Sequence, residues 1–395
     1  MKALFWVQHL LGIGHMRRGE ALVKALIARG VDVTVIQGGF PVPGVPFTGA
    51  EVEQLPPVRA ADAAFATLIG SDGQPISDQV RANRIEQILA CFERVRPDIV
   101  MTESFPFGRR HFRHELAHLL DRIGETANPP VVIACVRDVL VGKRQKEKER
   151  WMADQAQQHY DQVIIHGDPS LIPFETTFPF TEQISNLLFY SGYVAPMDVR
   201  ETDRLDANLR REIVVSGGGS ATAGPLFEQV LRAIPLCHQG DDRWRFLMGP
   251  DLPAAIRQRL ITEASQMREP VQVDPAVPSL AKTLRSARLS ISQAGYNTVM
   301  DILSSGVRAI VVPFAGEEES EQTLRARVLA DYGRLFIVTS EEAADPHHWA
   351  SAMKAALAGD EPESLPIMMD GAARTADRII EAARAKRANT TVART

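Results

Sequence analysis

Cysteine is scarce in this chain: three residues, Cys91, Cys135 and Cys237, in a length of 395. Their number is odd and no two have metal-ligand spacing, which excludes a disulfide framework and a thiolate metal site. Each lies in an apolar setting, as buried thiols of a reducing compartment do, and the expected location is cytoplasmic. Long apolar runs are also missing, so no segment reads as a membrane span. The opening Met1 to Val7 is too short and too soon interrupted for a signal peptide and reads as a first strand. Helical repeats and long low-complexity tracts are absent. So is any general excess of positive charge: the net charge is -5, which argues against a nucleic-acid binder. The local exception is the basic run Lys143 to Arg150. We read it as a solvated helix face; the competing reading is peripheral contact with an acidic substrate or a membrane surface.

What remains is ordinary for a soluble globular protein, with 45% hydrophobic and 24% charged residues. The length favours two domains. The most informative stretch is Arg288 to Ala326. It reads as strand Leu289–Ser292, a turn at Ala294-Gly295, a helix stopped by Gly306, the apolar strand Ala309–Val312, a polar loop and a further helix. Two polar turns thus fall at the carboxyl ends of parallel strands, where open α/β sheets bind ligands.

The first half opens with a strand at Ala3 to Val7, a turn containing Gly12, Gly14 and His15, a helix from Met16 to Arg29 and a strand at Val31 to Ile36. Glycine in such a turn lets a substrate approach the backbone and the helix amides. A nicotinamide site is rejected. The third glycine of that fingerprint is missing, and Gly38-Gly39 stand where an acidic ribose ligand belongs. His15, at the turn-to-helix junction, reads as a cleft-facing imidazole that donates a hydrogen bond or takes a proton; the competing reading is a helix cap. Residues 40 to 60 read as an ordered, proline-rich connector with a short strand. A helix at Ile76 to Arg96 places Ile85, Ile88, Leu89 and Phe92 in the core. The strand at Pro97 to Thr102 ends in Glu103, Ser104, Arg109 and Arg110, and the strand at Val131 to Val136 ends in Arg137-Asp138. Both strand ends read equally as a site or as salt-bridged loops. His166 to Pro169 reads as a turn.

Ser191 to Pro196 is the expected hinge. Beyond it, the strand Glu212–Ser216 runs into Gly217, Gly218, Gly219 and Ser220 before a helix at Pro225 to Leu236. Free amides at that helix start would cradle a phosphate. The Gly-Lys-Ser/Thr ending of a P-loop is missing, which excludes NTPase chemistry. Strands at Trp244–Met248, Val271–Val273 and Leu335–Val338 complete the second half. The expected boundaries are 1–195, 196–368, and 369–395 as a helix packing back on the first domain, with its tail.

Gly-x-Gly-His in the first half, with Gly-Gly-Gly-Ser and the 288–326 stretch in the second, resembles GT-B glycosyltransferases. The similarity is to glycosyltransferase family 28, and within it to a group of predicted bacterial glycosyltransferases with Gly-Tyr-Asn-Thr at residues 295 to 298. It covers the architecture of nearly the whole chain and is specific over residues 212 to 333 and the first turn. The resemblance implies an α/β fold of two Rossmann-like, doubly wound parallel-sheet domains facing a central cleft. It also implies a nucleotide-sugar donor, a UDP-sugar, held by the second domain. Asp301 falls where the family holds the ribose, and Gln293, Ala294, Gly295, Asn297 and Thr298 would face pyrophosphate and sugar. Gly218, Gly219 and Ser220 match the turn near the nucleotide. Glu321 and Gln322 fall where the family has paired glutamines on the donor sugar, Glu321 being a departure. His15, with Gly12 and Gly14, falls on the acceptor side, to which Arg109 and Asp138 are also assigned. The implied reaction is an inverting transfer to an unidentified acceptor, with no cofactor and no metal; the sequence has no Asp-x-Asp motif. His15 and Glu103 are both candidate bases, and the sequence does not choose between them. A nucleotide-sugar hydrolase, a nucleotide-sugar-binding regulator and an epimerase of the same shape are the alternatives.

Overall fold

The computed structural model describes residues 1–10, 14–42, 44–61, 67–140, 145–195, 210–218, 223–238, 240–250, 252–314, 321–358 and 362–392. Of the sequence-derived site residues, Gly12, Gly219 and Ser220 lie outside this set, as do Pro196 of the expected hinge and residues 315–320 of the polar loop. The chain divides into two compact units. The first comprises residues 1–140, 144–194 and 368–395, and the second 141–143 and 195–367.

The first unit runs β1 (Lys2–Val7), α1 (Gly14–Ile27), β2 (Asp32–Gln37), β3 (Glu51–Gln54), β4 (Arg59–Ala60), β5 (Leu68–Ile69), α2 (Asp78–Val95), β6 (Ile99–Glu103), α3 (Arg113–Gly124), β7 (Val131–Arg137), α4 (Lys146–His159), β8 (Gln162–His166) and β9 (Leu188–Tyr190). Seven strands form one parallel sheet in the order β3-β2-β1-β6-β7-β8-β9, and β4 and β5 form a small antiparallel pair. Period-two alternation sends the side chains of β1 to two different cores. Leu4 and Trp6 join one, and Ala3, Phe5 and Val7 the other. A strand covered on both faces must be apolar throughout, which is why β1 and β7 read as unbroken hydrophobic runs. Helix α1 starts at Gly14, two residues earlier than the sequence pattern suggests.

The second unit runs β10 (Glu212–Ser216), α5 (Gly224–Cys237), β11 (Arg243–Met248), α6 (Ala254–Ser265), β12 (Val271–Pro275), α7 (Leu280–Arg285), β13 (Ala287–Gln293), α8 (Tyr296–Ser305), β14 (Ala309–Val312), α9 (Glu321–Asp331), β15 (Phe336–Ile337) and α10 (Pro346–Ala358). Its six strands are ordered β12-β11-β10-β13-β14-β15. One face of this sheet is apolar, with Ile213, Val215, Leu289, Ile291, Ile310 and Val312 packed under α5 and α10. The other face carries Ser216, Ser290 and Ser292, all buried.

The last helix, α11 (Gly371–Val392), belongs to the first unit. Ala372, Ala376, Ile379, Ile380 and Ala383 recur at helical spacing and enter the core with Phe5, Leu22 and Leu26. Lys386 Nζ reaches Asp161 at 2.7 Å and the Pro130 carbonyl at 2.9 Å. The returning chain is fixed where it meets the outgoing one. Tyr193 N donates to Met368 O at 2.8 Å, Met368 N to Asp168 at 2.7 Å, and Gly371 N to Tyr193 O at 3.0 Å. The segment 166–169, which reads as a plain turn, therefore anchors this crossing through Asp168. Both glycines are required there. Gly192 has φ +88, and a Cβ on Gly371 would sit 2.3 Å from Gly192 O.

Candidate active site

In each sheet the chain first runs outward to one side, then returns to build the other. The reversal falls between β1 and β6 in the first unit and between β10 and β13 in the second. Loops diverge there at the strands' carboxyl ends, leaving room for a ligand. The sequence-derived residues gather at these two points.

At the first point, α1 supplies His15 and β6 supplies Glu103. His15 Nδ1 lies 2.8 Å from Glu103 Oε1. Arg18, one turn along α1 and therefore on the same face, pairs with the same oxygen through Nη2 and lies 3.2 Å from His15 Nδ1. Ser104 Oγ stands 3.2 Å from Glu103 Oε1 and 3.3 Å from His15 Nδ1, with Ser104 in the left-handed region at φ +66. The Glu103 side chain is fully buried, while the His15 side chain keeps 14% of its surface exposed. Glu103 Oε2 has no hydrogen-bond partner among the described residues.

Charge follows from these contacts. Burial alone would raise the Glu103 carboxyl. Arg18 and the His15 hydrogen bond outweigh it and hold the group far below the usual carboxylate range. Burial, then Arg109, push His15 well below its ordinary value, against the pull of Glu103. At neutral pH the pair is therefore a neutral imidazole and a carboxylate. An ionised carboxylate only accepts, so the 2.8 Å contact requires Nδ1 to carry the proton. Nε2 is then the basic nitrogen.

Around this pair, Arg109 Nε donates to Gln8 O at 2.8 Å from a left-handed backbone at φ +58. Burial and then Arg137 lower its guanidinium to about 10. His166, beneath, is fully buried and pushed to about 3 by burial and Arg18, with Nδ1 3.0 Å from Ser191 Oγ. Asp138, assigned to the acceptor side, is fully buried, and its carboxylate receives Tyr193 Oη at 3.1 Å and Val139 N at 3.0 Å. Sequence reasoning missed Arg18, which the i, i+3 spacing from His15 could have signalled. It also missed Arg84, which is 1% exposed and binds Glu115 through Nε and Nη2, both at 2.8 Å.

At the second point, Ser216 and Ser292 are register partners at the ends of β10 and β13. Their hydroxyls are buried without partners among the described residues. Gly218 follows with φ +62, and a Cβ there would lie 3.7 Å from Thr298 Oγ1, so the glycine turn and the start of α8 adjoin. Helix α8 begins at Tyr296 with Gly295 as N-cap and no side-chain cap. A helix start with no side-chain cap is suited to an anion. Its far end is the opposite: Arg334 donates to Ile302 O at 2.9 Å and Arg285 to Ser305 O at 3.3 Å, placing positive charge on the negative end of the dipole. Asp301 and Thr298 are nearly buried, while Gln293, Gly295 and Asn297 are half-buried. Ala294 is fully buried. Helix α9 joins this group through Arg325, whose guanidinium lies 5.1 Å from the Tyr296 ring centroid. Glu321, assigned to the donor sugar, pairs with Arg325 Nη2 at 2.9 Å and is 7% exposed. Gln322 Oε1 accepts from Phe314 N at 3.1 Å and shapes the loop's end.

Residues 213–378 match the glycosyltransferase family 28 C-terminal domain. An uncharacterized glycosyltransferase of Methanosarcina mazei is 23% identical over 336 residues, 82% of this chain and 83% of that protein. The UDP-N-acetylglucosamine--N-acetylmuramyl-(pentapeptide) pyrophosphoryl-undecaprenol N-acetylglucosamine transferase of Cupriavidus necator is 27% identical over 65% of this chain and 63% of its own length. The crystal structure of CalG4, the calicheamicin glycosyltransferase, superposes with a TM-score of 0.60 at 14% identity, covering 99% of this chain and 97% of that one. The matched region makes residues 213–378 a glycosyltransferase family 28 C-terminal domain, and the superposition over nearly the whole chain gives it the GT-B fold.

Proposed function

We propose that the protein moves a sugar from a nucleoside-diphosphate sugar, with UDP as the nucleotide, to an acceptor hydroxyl, inverting the anomeric centre without a metal. The acceptor oxygen forms the new bond to the anomeric carbon while the bond to the diphosphate oxygen breaks. The hydroxyl proton passes to His15 Nε2. Glu103 fixes the tautomer and offsets the imidazolium charge that develops. The diphosphate leaves carrying negative charge, which the uncapped start of α8 and the turn at Gly218 are suited to receive. UDP is favoured by the name of the Cupriavidus relative.

The observation that carries this reading is the 2.8 Å His15–Glu103 contact at the β1/β6 reversal. It supports reading the two candidate bases as partners, with His15 taking the proton and Glu103 orienting it. The test is a thermal-shift panel of nucleoside diphosphates and their sugars, followed by transfer assays with and without EDTA. A shift with a uracil nucleotide and EDTA-resistant transfer are expected. No shift with any nucleotide would sink the proposal. Rapid release of free sugar without an acceptor would convert it to a hydrolase.

A further inference from the structure

The first unit holds a guanidinium whose chemistry the transfer step does not use. Arg109 is tethered by one edge only, through Nε to the Gln8 carbonyl at 2.8 Å. Gln8 is itself rigid: it is fully buried, with Nε2 3.0 Å from Val58 O and Oε1 3.0 Å from Arg84 Nη2. The other edge of Arg109, Nη1 and Nη2, finds no partner among the described residues. Arg18 differs, because its charge is spent on Glu103.

The surroundings are positive. Arg18 and Arg137 act on Arg109 as like charges, and Glu103 alone opposes them. Glu103 is already shared between Arg18 and His15. On the outer side, His111 feels Arg81, Arg113, Arg109 and Arg110. Arg110 is stacked over Trp151 at 5.4 Å. The segments flanking β1 and β7 that lie outside the described residues read Leu11-Gly12-Ile13 and Val141-Gly142-Lys143-Arg144. Neither contains a carboxylate. A shielded guanidinium beside two others is costly unless an anion meets it. A planar fork with two free nitrogens matches one oxyanion, carboxylate or phosphate.

We infer that the acceptor carries an oxyanion and that Arg109 receives it through its two terminal nitrogens, beside His15. The inference rests on the transferase reading for the word acceptor, but the binding is testable alone. Arg109 is then a specificity residue, which selects acidic acceptors over neutral ones of the same shape.

The experiment is calorimetric titration of the full chain at low ionic strength, with inorganic phosphate in one arm and acetate in the other. The wild type is expected to bind one of them saturably, and the tighter arm identifies the oxyanion as phosphate or carboxylate. Arg109→Gln should weaken that binding by about tenfold or more. Arg109→Lys keeps the charge but loses the fork, so it should fall between the two and also covers the case of a glutamine variant that does not fold. Gly218→Val, at the opposite unit's glycine turn, should leave this binding in place. Binding that survives in both Arg109 variants, that disappears in Gly218→Val, or that is absent from the wild type in both arms overturns the inference. Nucleoside-diphosphate binding is followed in the same variants. Its retention with no oxyanion binding would remove this inference and leave the transferase reading intact. Its absence from a wild type that binds the oxyanion through Arg109 would do the reverse.

Discussion

Replacing Glu103 with glutamine is the sharpest perturbation of the proposed mechanism. The change keeps the volume and removes one charge. In the ground state His15 is neutral, so substrate binding has little to lose. In the transition state the imidazole gains a proton at Nε2, and its charge lies 2.8 Å from the position of Glu103 Oε1. At an effective dielectric of about 20, two unit charges at that distance interact by roughly 6 kcal/mol. Partial charge development and nearby Arg18 reduce this to a few kcal/mol. Each 1.4 kcal/mol or so is a factor of ten, so kcat should fall by about 10²- to 10⁴-fold. The KM for the donor should stay nearly level. The same substitution leaves buried Arg18 without its counter-charge, which costs on the order of 3–5 kcal/mol of folding stability. Steady-state kinetics with the donor identified by the nucleotide panel, paired with denaturant unfolding, separates the two effects. A folded Glu103→Gln protein with kcat within about threefold of wild type would refute the dyad, because uncharged glutamine cannot support an imidazolium in that way.

Two other outcomes follow from the structure. His9, His15 and His166 are all held below the ordinary histidine value: His9 at about 4 and His166 at about 3, both chiefly by burial. With folded values depressed, their stability contribution is present above the unfolded value near 6.5 and is lost as pH falls below it. Each therefore removes about 1.4 kcal/mol per pH unit between roughly pH 6 and 5, and denaturant unfolding should show a slope steeper than one histidine gives. A flat profile there would contradict the burial argument. Gly371→Ala should destabilise the first unit by at least about 2 kcal/mol in the same assay. Its Cβ would fall 2.3 Å from Gly192 O and 2.7 Å from Tyr193 O, both backbone atoms that cannot swing aside. A neutral result would mean that the crossing of the two chain segments is looser than these contacts allow.

Much of the fold was legible because its signals are local. Buried parallel strands must be apolar on both faces, so β1, β7 and β14 stand out as runs, and Gly306 marks the end of α8 with φ +72. The glycine turns after β1, β10 and β13 were legible for the same reason. They join a strand to a helix within a few residues. The partnership of His15 with Glu103 was not, since 88 residues separate them. Only the placement of β6 beside β1 brings them within hydrogen-bonding distance. The ion pair of Glu321 was not read from the sequence either: Arg325 lies one helical turn onward, and Glu321, at 7% exposure, pairs with it.

The sequence alone therefore determined the class of the protein. Two sets of alternating strands and helices, with glycine turns at the strand ends, follow from periodicity and turn chemistry acting over short range. The tertiary structure decided the chemistry of the individual groups. Strand order chose which turns share a reversal point, and burial with neighbouring arginines set which imidazole is neutral and which carboxylate is charged. It also left one edge of Arg109 open. Those outcomes depend on through-space distance and desolvation, which residues far apart in the chain acquire only once it has folded.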